Sequence, residues 1–119
     1  MLLDDTKLFV KAFINVFYYQ EYDVITILNG TVKGQRLVEK YQDSQLPISI
    51  GDRSAITKLV VRNVLVVNGN LYPSRAAKEM IASAILLAFP QMIFNEDGVL
   101  SNCYGLIESF LKVLRKPPL

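Results

Sequence analysis

The chain has 119 residues, 51% hydrophobic and 20% charged, with a net charge of +2. That composition fits one globular domain, long enough to bury a core without staples and too apolar to be disordered. It contains no histidine and one cysteine, Cys103, which removes the commonest general base and metal ligand and excludes an internal disulfide.

A zinc site would have to be built from carboxylates alone, and no metal or cofactor is expected. A lone free thiol suits a nuclear or cytoplasmic protein. The start, MLLDD, is acidic where a signal peptide is basic. Two apolar stretches, 8–19 and 81–94, are interrupted by Lys11 and Asn15 and by Pro90. Both fall short of the roughly 20 residues that span a bilayer, so they are read as core and no membrane partner is expected.

Residues 4–20 read as a first helix. Asp4, Lys7, Lys11 and Asn15 form one narrow polar stripe, and nearly everything else is apolar, including Leu8, Phe9, Val10, Phe13, Ile14, Val16, Phe17 and Tyr18. Such a helix must be covered on several sides, by the rest of the domain or by a second chain. Its β-branched and aromatic content also permits a strand. Residues 22–28, YDVITIL, are open between a helical turn and a short strand. Asn29–Gly30 stops the segment, since both residues tolerate positive φ.

Thr31 is positioned to cap the next helix, with Val32, Leu37, Val38 and Tyr41 inward and Lys33, Arg36, Glu39 and Lys40 outward. A polar connector, 42–47, follows. Ser49 and Asp52 then resemble a capping box that opens a helix over 50–67. Its inward positions are Ile56, Leu59, Val60, Val64 and Val67, although the run of valines between 60 and 67 works against helix. After the break NGNLYPS at 68–74, Ser74 caps a helix over 75–89 whose second half, 84–89, is wholly apolar. Pro90 ends it, NEDG at 95–98 marks a turn, and a last amphipathic helix over 102–115 places Leu106, Ile107, Phe110, Leu111 and Leu114 inward. The expected architecture is mainly α: a single compact domain of about five helices over 1–116, centred on residues 81–89. Residues 117–119 start a linker or tail.

Nothing in this pattern looks like catalysis. Cys103 has no histidine partner, the acidic pairs Asp4–Asp5 and Glu96–Asp97 do not face each other on a helix, and the glycines match no phosphate-binding loop. Two binding readings remain. Phe9, Phe13, Phe17 and Tyr18 have the character of an interface core and point to protein–protein association, as a homodimer or with another protein. The alternative is nucleic-acid binding. Between 33 and 78 the chain carries eight basic residues (Lys33, Arg36, Lys40, Arg53, Lys58, Arg62, Arg75, Lys78) against three acidic ones (Glu39, Asp43, Asp52). Arg53, Lys58, Arg62, Arg75 and Lys78 are expected along the outside of the helix pair 50–67 and 75–89. Lys58, Arg62, Arg75 and Lys78 are its candidate phosphate contacts, in a helix-turn-helix-like arrangement. The second helix lacks the Asn, Gln or Arg array that reads bases.

Three stretches, ILNGTVKGQRLVEKYQ, DRSAITKLVVRNVL and YPSRAAKEMIASAILLAFP, together follow one pattern in chain order. It runs from an Ile-Leu-Asn start through a Gly-x-x-Leu-x-x-Lys-Tyr helix and an Arg-initiated apolar helix to a helix ending in Phe-Pro. Gly34, Leu37, Lys40, Tyr41, Arg53, Phe89 and Pro90 occupy the matching places. From residue 27 to about 90 the chain thus resembles a helical module of animal multigene families, found beside SAM domains and in transposon-derived proteins. The resemblance implies no catalytic activity and a nuclear or regulatory setting of association.

Overall fold

The computed structural model describes residues 22–94, 98 and 103–116. Five α-helices form among them: α1 (Val24–Asn29), α2 (Val32–Tyr41), α3 (Ile50–Val61), α4 (Arg75–Ala88) and α5 (Cys103–Leu114). The protein is mainly α, as the periodicity predicts. The helix expected at 4–20 and the tail at 117–119 lie outside the described residues.

Short polar side chains set the helix starts. Thr31, Ser49 and Ser74 all adopt extended backbone and accept from the amides of Gly34, Asp52 and Ala77 respectively, each satisfying a donor the first turn leaves open. Asp23 does the same for α1 through the amide of Thr26, which settles the ambiguous segment as helix from Val24 on. The stop after α1 is not the positive-φ turn that Asn29–Gly30 predicts. Gly30 stays in the right-handed region (φ −71°, ψ −10°), and the chain turns at Thr31, where φ is −130° and ψ 155°. Gly69 does use its freedom, at φ +74°.

Gly34 is indispensable for a different reason. A Cβ there would stand 1.9 Å from the carbonyl oxygen of Leu28 and 2.7 Å from its carbon. The backbone of α2 therefore crosses α1 at a distance only glycine permits.

The valine-rich end of α3 does not continue as α-helix. Residues Arg62–Val66 form a π-helical turn, closed by the Val67 amide on the Arg62 carbonyl at 3.0 Å. One wider turn shifts the helical register. That shift carries Val67, expected inward, to 78% exposure, while Ile56 and Val60 are fully buried as expected. Val32, the first residue of α2, also departs from expectation at 67% exposure.

The core draws on every described helix. Leu28, Ile48, Ile56, Val60, Val61, Ile81, Ile85, Phe89, Met92, Ile107 and Leu111 have no accessible surface. Burying each such side chain is worth about 1.5–3 kcal/mol before conformational entropy is charged against it. Ile48 anchors a connector that otherwise reads as polar. The expected centre, 81–89, is buried at 81–85 and at Phe89, whereas Leu86, Leu87 and Ala88 are only half-buried. Helix α5 packs on both α3 and α4, which meet each other less closely than either meets α5.

Arg53 corrects the sequence reading most plainly. It was expected on the outside of the helix pair and is 3% exposed. Helical spacing explains this, for Arg53 shares a face with Ile56, Thr57 and Val60. Its guanidinium donates through Nη1 to the Phe94 carbonyl at 2.8 Å and through Nη2 to the Met92 carbonyl. Both acceptors belong to the 3-10 turn Pro90–Ile93 and its C-cap. Among the described residues no helix is long and apolar enough to cross a membrane.

Candidate functional site

The four candidate phosphate contacts occupy two separate places. Lys58 and Arg62, four apart on adjoining turns, both overhang the ring of Phe110, at 5.8 and 5.6 Å from its centroid. Both are exposed. Arg75 and Lys78 lie at the start of α4. Arg75 pairs with Glu79 at 3.0 Å and stays 84% exposed. Lys78 pairs with Glu108 of α5 and retains 13% of its side-chain surface, its ammonium standing 5.2 Å from the centroid of Tyr104.

The ion pair acts on both members. The Glu108 carboxylate raises the Lys78 ammonium above its ordinary value, helped by the Tyr104 hydroxyl. Lys78 in turn lowers Glu108.

Helix α5 is what divides the four cations. Phe110 and Glu108 are two residues apart, hence about 200° apart around a helix of 3.6 residues per turn. Lys58 and Arg62 therefore gather on one flank of α5 and Lys78 on the other. The continuous basic face expected from the helix pair is split, and half of it is engaged in ion pairs. The sequence held the clue in Glu108, which falls on the face of α5 turned towards α4.

A cleft of about 330 Å³ lies elsewhere, between α1 and the second half of α4. Tyr22, Val24 and Ile25 form one wall and Ala84, Leu87 and Ala88 the other, with Asp23 and Gln42 at the rim. It sits where the described chain begins. The walls are apolar because the run 84–89 has no polar residue, and they stand apart because small Ala84 and Ala88 face α1 across the gap. The one carboxylate at the rim is engaged: Asp23 accepts from the Thr26 hydroxyl at 2.8 Å and from its amide at 3.2 Å. Those bonds, the hydroxyl first, hold its carboxyl below the ordinary value. The cleft accordingly offers apolar surface and no poised acid or base. Sequence reasoning identified residues 84–89 as apolar but not that α4 leaves part of them uncovered.

The interface candidates Phe9, Phe13, Phe17 and Tyr18 lie outside the described residues. Cys103, the only thiol, is 4% exposed, and burial pushes it up to about 12, so it remains protonated and unreactive at neutral pH. No cluster of three or more potential metal-binding side chains occurs among the described residues. No family profile, curated protein or solved structure matches this chain.

Proposed function

We propose that this chain is a non-enzymatic protein–protein association module. It homodimerises through the apolar segment 4–20, with Phe9, Phe13, Phe17 and Tyr18 as the contact residues, within a larger nuclear or cytoplasmic regulatory protein. One observation carries the reading. Segment 4–20 carries eight large apolar residues against one narrow polar stripe, in addition to the core that helices α1 to α5 build among the described residues. A segment with so narrow a polar stripe fits a dimer seam or a partner groove. The resemblance of residues 27–90 to the SAM-associated, transposon-derived module is proposed on the same footing and supports the regulatory setting.

The test is light scattering behind size exclusion on Phe13→Glu and Phe17→Glu. A folded monomer is the expected result, with helical circular dichroism unchanged. Loss of folding would show instead that these phenylalanines belong to the intramolecular core and would end the proposal.

A second reading, nucleic-acid binding through Lys58, Arg62, Arg75 and Lys78, has one observation in its favour. Lys58 and Arg62 are exposed side by side over Phe110. That arrangement supports phosphate contact without base readout. Binding should then fall steeply with salt and weaken in Lys58→Glu/Arg62→Glu. Absence of binding at low salt removes this reading.

A further inference from the structure

We propose that Tyr72 is a base-stacking platform for single-stranded nucleic acid, held beside the cations of α3 and α5. The inference rests on the second reading, phosphate contact by Lys58 and Arg62. It names the kind of nucleic acid and the residue that takes a base.

Exposure comes first. Tyr72 is 74% exposed, yet it is fixed at several points. Its amide donates to the Asn70 side-chain carbonyl at 3.2 Å. The Asn70 amide donates to the Leu65 carbonyl at 2.9 Å, which moors the loop to the π-helical turn that Arg62 opens. The Arg115 guanidinium lies 4.6 Å from the Tyr72 ring centroid, and its Nε donates to the Leu71 carbonyl at 2.6 Å. Arg115 thus covers one face of the ring and leaves the other to solvent. A ring already held in place loses little freedom when a base stacks on it.

Charge selects the partner. Between residues 53 and 78, and again between 109 and 116, the chain has no carboxylate. Lys58, Arg62, Lys112 and Lys116 are exposed in those two stretches. Phe110, under Lys58 and Arg62, and Arg115, under Tyr72, are five residues apart at the end of α5, a rise of about 7.5 Å. The cation pair and the ring therefore belong to one end of the molecule, and a strand of a few nucleotides reaches both.

A polyanion with unstacked bases answers both features, phosphates to the cations and a base to the ring. A duplex keeps its bases stacked inside. Glu108 also places a carboxylate against Lys78 in the first turn of α4, the end that a helix-turn-helix protein sets in the groove.

The experiment titrates the full chain into fluorescein-labelled oligothymidylate and into a labelled duplex at low salt, read by anisotropy. The single strand should bind more tightly. Tyr72→Ala and Tyr72→Leu should each weaken it about tenfold, while Tyr72→Phe, which keeps the ring, binds like the parent. The Tyr72 variants should leave the salt dependence unchanged. Lys58→Gln/Arg62→Gln should instead lower the slope of log affinity against log salt by about 1.4. Circular dichroism checks that each variant is folded.

Two results overturn the proposal, and they are distinct. Equal or tighter binding of the duplex, or a Tyr72→Leu chain that binds like the parent, removes the platform and leaves phosphate contact standing. No binding of either probe at low salt removes the platform and the second reading together.

Discussion

Replacing Gly34 with alanine tests the tightest contact in the fold. The added methyl would lie 1.9 Å from the Leu28 carbonyl oxygen and 2.7 Å from its carbon, with the Thr31 hydroxyl at 2.8 Å. Two of these atoms are backbone, so no rotamer change relieves the clash and α1 must move away from α2. Overpacking of this kind costs about 3 kcal/mol, the upper end of its usual range. Alanine returns about 1 kcal/mol through its better helix propensity. The net loss is about 2 kcal/mol, a fall in Tm of roughly 8 °C or more. Gly51→Ala is the internal control, since that glycine lies in α3 with nothing within 4 Å of the new Cβ. It should stabilise by about 0.5–1 kcal/mol. Urea unfolding of both variants followed by circular dichroism reads the difference. If Gly34→Ala is as stable as Gly51→Ala, the close crossing of α1 and α2 is wrong.

Arg53→Met should cost about 2–3 kcal/mol through loss of two charge-assisted bonds to the Met92 and Phe94 carbonyls, measured by urea unfolding. Arg53→Lys should not restore it, because an ammonium lacks the planar fork that reaches both acceptors. Tyr41→Phe removes the 2.5 Å bond from its hydroxyl to Asp52 Oδ2 and should cost about 1–2 kcal/mol at pH 7. The Tyr41 hydroxyl, and after it Lys40, holds the Asp52 carboxyl below its ordinary value of 3.8. That stability is present above pH 3.8 and lost as pH falls through the lowered value, so the variant and the parent should converge in acid. Cys103 behaves in the opposite sense. Its thiol is raised from 9.0 to about 12 by burial, so its contribution is complete below pH 9 and lost as pH rises towards 12. The slope reaches about 1.4 kcal/mol per pH unit; Cys103→Ala should flatten that limb, and a thiol reagent should modify the parent only after unfolding.

What the sequence made legible was local. Thr31, Ser49 and Ser74 announce their helices because a cap needs one short polar side chain at one place, and all three cap as expected. The inward faces of α3 and α5 follow from spacing alone at Ile56, Val60, Ile107 and Leu111. What stayed hidden depended on partners distant in the chain. Arg53 reads as one more surface cation until Met92 and Phe94, about forty residues on, supply its acceptors. Lys78 reads as available for phosphate until α5 brings Glu108 against it. Val67 fails because the π-helical turn shifts a register that sequence periodicity assumes constant. Gly34 stood out only through the family resemblance, and its physical cause, the crossing on Leu28, is a tertiary fact. The cleft was invisible for the same reason, since periodicity shows that residues 84–89 are apolar but not that Leu86, Leu87 and Ala88 stay half-buried.

The 3-10 turn Pro90–Ile93 has a kinetic consequence. Gln91 donates from it to the carbonyls of Tyr41 and Ser44, at 2.8 and 3.3 Å, while the Met92 and Phe94 carbonyls accept from Arg53. Gln91, Met92 and Phe94 thus tie together α3, α4 and the connector between α2 and α3, through bonds that span 39 to 50 positions of sequence. Loop closures of that length are costly before any contact rewards them, so these bonds form late, after the helices and their nearest pairings. Damage to the knot should therefore leave the folding rate nearly unchanged and appear as faster unfolding. In this protein the turn sets how long the native state lasts more than how quickly it is reached.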